Sequence, residues 1–292
     1  MGTIRDFDIT MEFVRYSKNP ILVPDPKLSF EQAAVYNPCA VVHKNKVYLI
    51  YRAEAEYYNK YVSCLCLAES SDGVHFRKYK NNPIIKPDRA EEKRGCEDPR
   101  IVKIGGVYYL TYTAYNGKNV AVSLATSKNL IHWKKHGVIL KNCKSAQILE
   151  QSVNGEFLML VGDKNIFIAR SKNFKHWKLD NKPLISPRKN MFDSALVEVG
   201  PVPFIKNNQL VLIYNSADGL GHYHPCYCLL DINNPAKILY RHNRPLANPQ
   251  TYYELYGKVN YVIFAEGLVL FKNKFLLYYG AADKAIGVAE LK

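Results

Sequence analysis

No apolar run in this chain approaches the roughly 20 residues that a membrane-spanning helix needs. The first residues, Met1-Gly2-Thr3-Ile4-Arg5-Asp6-Phe7-Asp8, lack an apolar core and a small-residue cleavage site, so no secretory signal is expected and cytoplasmic residence is the default. Cysteines number seven, an odd count without disulfide-framework spacing, which predicts buried free thiols. Cys64-x-Cys66 and Cys226-x-Cys228 have the period of strands, and neither pair has further ligands beside it, so no metal or cofactor is expected. Acidic residues are outnumbered 26 to 40, for a net charge of +14. Such a balance can serve nucleic acid. Here Lys44, Lys46, Lys103, Lys118, Lys206, Lys272 and Lys274 are scattered through turns, with no basic block and no reader motif. A solvated surface that protects strand edges fits them better, so neither nucleic acid nor membrane is an expected partner. Long helices, linkers and low-complexity stretches are missing too, and apolar residues at 48% suffice for a core. The expectation is one domain over residues 1–292.

What the chain has is repetition. Five times a strand leads through a short polar turn into a second strand. The second strands read Val47-Tyr48-Leu49-Ile50-Tyr51, Tyr108-Tyr109-Leu110-Thr111-Tyr112, Phe157-Leu158-Met159-Leu160, Leu210-Val211-Leu212-Ile213-Tyr214 and Phe275-Leu276-Leu277-Tyr278-Tyr279. The turns, such as Lys44-Asn45-Lys46, Gly105-Gly106 and Asn207-Asn208, tolerate positive φ and suit tight hairpins. A repeat of roughly 50–60 residues made only of strands marks an all-β, five-bladed β-propeller. The fifth unit lacks its fourth strand, while Phe13 to Ile21 matches Phe76 to Ile84 in pattern. The N-terminal strand is therefore expected to join the last blade and close the ring.

The repeat superposes positions, so departures from it stand out. Where the first strand of each blade begins, the five units carry Asn37-Pro38, Glu97-Asp98-Pro99-Arg100, Ser145-Ala146-Gln147, Glu198-Val199-Gly200-Pro201 and Glu266-Gly267. Three of five bring carboxylates to one mouth of the channel. Repulsion makes that costly unless a substrate or basic neighbours use it; the structural alternative is local pairing with lysine or arginine. Opposed carboxylates in an aromatic-rich pocket suit glycoside chemistry, one as acid and another as base. Arg52, Arg100, Tyr115, Asp163, Asp193, Tyr214, His224 and Asp283 are further candidates around the mouth. Tyr115, Asp163, Asn215 and Asp283 fall just after the second strands of their units.

These residues carry a resemblance. Glu97-Asp98-Pro99-Arg100, Asn37-Pro38 with Arg52, Tyr112-Thr113-Ala114-Tyr115, Phe192-Asp193-Ser194 and Tyr278-Tyr279-Gly280-Ala281-Ala282-Asp283 look like glycoside hydrolase family 130, in order and over nearly the whole chain. The resemblance implies a five-bladed propeller acting on β-mannosides with inversion, either as a phosphorylase or as a hydrolase of β-1,2-linked mannose. It implies Asp98 as general acid, its proton passing through a sugar hydroxyl, and a mannose-containing oligosaccharide as partner.

Phosphorolysis needs a cationic clamp. The family's phosphorylases have a His-Arg-Pro-like segment after the third hairpin, where this chain reads Leu160-Val161-Gly162-Asp163. Glu198 and Glu266 would repel phosphate and suit a base on water. The expectation is therefore hydrolysis, with Glu198 as base and Glu266 as its assistant or replacement. Phosphorolysis is the alternative, supported by Lys144, Lys164 and Arg170. A sugar-binding propeller without catalysis is a third reading.

Overall fold

Five two-residue turns set the pairing. Lys44 and Asn45, Gly105 and Gly106, Asn154 and Gly155, Asn207 and Asn208, and Lys272 and Asn273 all have both residues at positive φ. Consecutive left-handed residues match the natural twist of a hairpin, and Asn and Gly reach that region at low cost. Each turn joins a first strand to a second with the flanking residues opposite each other, as in His43↔Lys46 and Phe271↔Lys274.

The computed structural model describes residues 10–56 and 61–292. Among these residues the fold is all-β, with helix confined to Ala90–Glu92 and Tyr252–Leu255. The strands fall into five antiparallel groups. The first contains Ala34–His43, Lys46–Glu54, Ser63–Ser70 and Arg77–Lys78; the second contains Gly95–Ile104, Val107–Tyr115, Val120–Ser127 and Lys134–Lys141. A single parallel bridge, Ser63↔Gly95, links these two groups. The third contains Ala146–Val153, Glu156–Val161, Phe167–Ser171 and Lys178–Leu179. In the fourth, Leu196–Val199 and Phe204–Lys206 both pair with Gln209–Ala217, followed by Tyr223–Asp231 and Ile238–Arg241. The fifth runs Ile263–Phe271, Lys274–Ala281, Ala285–Leu291 and then Phe13–Arg15, the N-terminal strand, which pairs antiparallel with Ala285–Leu291. Asn19 clamps both backbone groups of Val288, as Asn82 clamps those of Leu67, so the match between Phe13–Ile21 and Phe76–Ile84 extends to hydrogen bonds.

The core is cyclic. One apolar cluster lies between the first and second groups, others between second and third, third and fourth, and fourth and fifth, and another joins fifth to first. Alternate residues of a second strand serve two clusters: Leu210, Leu212 and Tyr214 face the third group, while Val211 and Ile213 face the fifth. Burial of both faces explains why these strands are continuous apolar runs rather than alternating ones.

A buried polar clasp recurs in four groups. A tyrosine in the second half of the second strand donates to a carboxylate from the segment before the first strand: Tyr51 to Glu31 at 3.0 Å, Tyr112 to Glu92 at 2.6 Å, Tyr214 to Asp193 at 3.1 Å and Tyr279 to Glu254 at 3.0 Å. The same carboxylates pair with a cation from the fourth strand, namely Lys78, Lys135, Arg241 and Arg15. The third group has Leu160 at the tyrosine position. Asp193 and Tyr214, expected at the sugar site, belong instead to this clasp, where Arg188 also holds Asp193. They are structural because the loop carboxylate of their group answers the same packing need as Glu31, Glu92 and Glu254.

Breaking a buried pair strands the charge left behind. Arg15→Ala is expected to lower unfolding free energy by on the order of 3 kcal/mol in urea denaturation, since Glu254 is fully buried. The control Arg77→Ala, whose side chain is 82% exposed in its pair with Glu69, is expected to change it by less than about 1 kcal/mol.

Candidate active site

The first strands kink where the sequence departs from the repeat. Register shifts fall between Tyr36 and Cys39, between Glu97 and Arg100, and between Ala265 and Gly267. Asn37 (φ 49°), Asp98 (φ 47°) and Ser145 (φ 52°) are left-handed at corresponding places. Such bulges re-aim side chains, and short polar residues tolerate the conformation best. In the fifth group the position after Glu266 is Gly267, whose missing Cβ would lie 2.8 Å from the Pro38 carbonyl oxygen. That close approach lets the first strands of neighbouring groups meet.

The kinks open onto a hollow of about 130 Å³ lined by Tyr36, Asn37, Arg52, Asp98, Lys144, Glu198, Tyr223 and Asp283, with Val259, Val262 and Phe264 on its apolar side. One guanidinium organises the polar wall. Arg52 donates to Asp98 Oδ1 at 3.1 Å, to Glu97 Oε1 at 2.9 Å, to Glu54 Oε1 at 2.7 Å and to Ser63 Oγ at 2.9 Å. Its charged plane also covers the Tyr36 ring at 4.8 Å. Asn37 Nδ2 adds a 2.7 Å bond to Asp98 Oδ1, and Lys258 Nζ reaches Glu54 Oε2 at 2.6 Å.

Acids outnumber nearby cations here, and the protonation states divide accordingly. Burial pushes Glu97 up to about 7; Arg52 opposes the shift and the Asp98 charge adds to it. Burial also acts against an ionised Asp98, but Arg52, Lys144 and the Asn37 hydrogen bond prevail and hold it down at about 2. Asp283 is raised to about 6 by burial, with Arg52 opposing. Glu198 is raised by burial and drawn back by Lys144 Nζ, 3.4 Å away, and by the Ser145 hydroxyl that donates to it. Lys144 is itself raised, chiefly by Glu198, and stays charged.

Of the expected site residues, Asn37, Arg52, Asp98, Glu198 and Asp283 line one hollow, and Glu97 supports it through Arg52. Arg100 lies behind it, donating to the carbonyls of Val199 and Gly200 at 2.7 and 3.1 Å and ion-pairing with Glu266. Glu266 is thus a buried partner of Arg100 and does not line the hollow, which removes it as a candidate base. Burial raises it well above the usual carboxylate range, with Arg100 opposing. Tyr115 donates to the Gly117 carbonyl of its own hairpin. Asp163, 45% exposed, lies 3.8 Å from Lys144. His224 packs against Phe192 and stands 3.8 Å from Asp218, outside the lining. Arg170, on the third strand of its group, pairs with Asp180 just after the fourth. Among the described residues no group of His, Cys, Asp or Glu is arranged to hold a metal.

Several residues in the lining or directly behind it escaped the sequence reading. Tyr36 sits directly before Asn37, and Glu54 ends a second strand as Tyr115 does, so position within the repeat could have found both. Lys258, Val259 and Val262 come from a loop with no counterpart in the other groups, and no periodic signal marks them.

With this geometry in place, the likeness to known proteins is informative. A family model described as β-1,4-mannooligosaccharide phosphorylase matches residues 7–292. A 1,2-β-oligomannan phosphorylase of Thermoanaerobacter sp. (strain X514) is 37% identical over 95% of this chain and 96% of its own. A β-1,2-mannobiose phosphorylase of the same strain is 31% identical with the same coverage. Among solved structures, one described as a member of the mannoside phosphorylase family 130 that includes hydrolases targeting β-1,2 mannosidic linkages in Candida mannan superposes with a TM-score of 0.92. It is 30% identical and covers 99% of this chain and 96% of its own. The curated relatives are named phosphorylases, which overturns hydrolysis as the expected reaction. The physical reason lies in the pairing: Glu266 is matched by Arg100, and Glu198 by Lys144 and Ser145, so neither is the free negative charge that would repel phosphate. By the family match and by these relatives, the chain belongs to glycoside hydrolase family 130.

Proposed function

We propose that this chain is a phosphorylase of β-1,2-linked mannosides, built as one five-bladed propeller domain over residues 1–292. The cyclic succession of apolar clusters and the pairing of the N-terminal strand with the fifth group support that architecture. The observation that carries the activity is Lys144, a charged ammonium in the wall of a hollow that also presents Asp98 and Glu198. The names of the relatives at 37% and 31% identity support the same reaction.

In this reading a phosphate oxygen attacks the anomeric carbon while the glycosidic bond breaks, and the leaving oxygen takes a proton supplied by Asp98. The products are mannose 1-phosphate and a saccharide shortened by one unit. Lys144 draws the phosphate to the wall of the hollow. Arg52 and Asn37 fix the Asp98 carboxylate, a positioning that general acid catalysis requires. The surrounding cations favour the ionised form of Asp98. A phosphate anion beside Lys144 offsets that field and shifts the Asp98 pKa upward, toward the protonated form a general acid needs.

Incubation with β-1,2-mannobiose is expected to give mannose 1-phosphate only when phosphate is added. Release of free mannose alone in phosphate-free buffer would overturn the reading. Asp98→Asn is expected to lower kcat by about 10²–10⁴-fold. Lys144→Met is expected to raise the KM for phosphate by about tenfold or more, read from initial rates at varied phosphate.

The pH dependence follows from Glu97. With its pKa at about 7, it is neutral below that pH and negative above. Rising pH from 6 to 8 therefore adds negative charge near the phosphate and raises the KM for it. Glu97→Gln is expected to flatten this rise. The ionisation of phosphate itself is common to both proteins, so the difference between their profiles isolates Glu97.

A further inference from the structure

We propose that Tyr261, backed by His222, is a stacking platform for the mannosyl unit beyond the leaving sugar, and that it makes the enzyme prefer oligosaccharides longer than the disaccharide. This inference rests on the mannoside reading above. It begins from size. A hollow of about 130 Å³ is well below the roughly 300–1,000 Å³ of pockets that engulf whole ligands, so it holds little more than one ring and the remainder of a longer saccharide must lie on the lip.

The lip on one side is the segment that supplies Val259 and Val262 to the lining. Tyr261 stands between them in sequence. Its carbonyl accepts from Tyr223 N at 2.9 Å, and Tyr223↔Val262 form a parallel bridge, so the residue is fastened to two residues of the hollow wall. Tyr261 contributes to none of the apolar clusters and is 40% exposed. A bulky residue at φ 60° is uncommon, and here it costs strain without gaining burial.

The ring is nevertheless held. Tyr261 and His222 lie with centroids 4.6 Å apart, and His222 Nδ1 is 3.2 Å from Asp218 Oδ2. Asp218 in turn accepts from the backbone N–H groups of Leu220 and His222. An exposed aromatic face kept rigid by its own support loses little freedom on binding. The apolar face of a pyranose, bearing C–H bonds, is the chemical partner that such a flat face suits.

Titration of β-1,2-mannobiose and β-1,2-mannotriose in phosphate-free buffer, where phosphorolysis cannot proceed, tests the inference directly. The wild-type protein is expected to bind the triose about fivefold to tenfold more tightly than the biose. Tyr261→Ala is expected to abolish that preference while changing biose affinity by less than about twofold, and Tyr261→Phe to keep it. Equal affinities in the wild type, or parallel losses for both saccharides in Tyr261→Ala, would overturn the platform. Failure of the underlying reading would look different: mannose accumulating during the titration, or no binding of either saccharide.

Discussion

Four carboxylates without solvent exposure hold this fold in register. Glu31, Glu92, Asp193 and Glu254 each sit where a chain segment descends into a first strand, and each is gripped by a tyrosine of the second strand and a cation of the fourth. A buried charge with a missing partner is strongly unfavourable, so each clasp fixes three strands of a group at once. The first strands then have defined starting points, and their kinks can present Asn37 and Asp98 to a common hollow, with Ser145 holding Glu198 at its wall. Apolar packing between groups is plentiful but tolerant of small slides; the clasps are not.

The hollow works by a similar imbalance put to another use. Around Arg52 the carboxylates Glu54, Glu97 and Asp98 compete for one guanidinium. The competition is resolved by geometry: Asp98, helped by Asn37 and Lys144, stays ionised, while Glu97 keeps its proton to near neutrality. Neighbouring acids with pKa values driven apart are a recurrent mark of acid–base sites. Behind them Arg100 neutralises Glu266 and ties the second group to the fourth through Val199 and Gly200. Charge in the walls is therefore mostly spoken for, Lys144 itself standing 3.4 Å from Glu198 and 3.8 Å from Asp163.

Much of this was legible in the chain. Two-residue turns and paired-face apolar runs announced the strand groups, and the Phe13–Ile21 match to Phe76–Ile84 announced the joining of the ends. The departures Asn37, Asp98 and Glu198 led to the hollow because equivalent positions in a repeat occupy equivalent places. What failed did so for want of partners that only three dimensions reveal. Asp193 and Tyr214 looked like site residues until Arg241 and Arg188 closed on them. Glu266 looked like a base until Arg100, from a different group, met it. The reaction itself was misread by the same route, since counting acids at a mouth says nothing of which are compensated.

The strand Phe13–Arg15 finds its place beside Ala285–Leu291, and Arg15 reaches Glu254 across 239 residues of sequence. During synthesis that strand emerges long before its neighbour. Until the fifth group exists, Phe13 and Val14 offer bare backbone to any passing edge. The pairing of these two strands is thus a long-range contact, slowed by the entropy of closing so long a loop, and an unpaired strand edge is exposed to pairing with another chain until it forms.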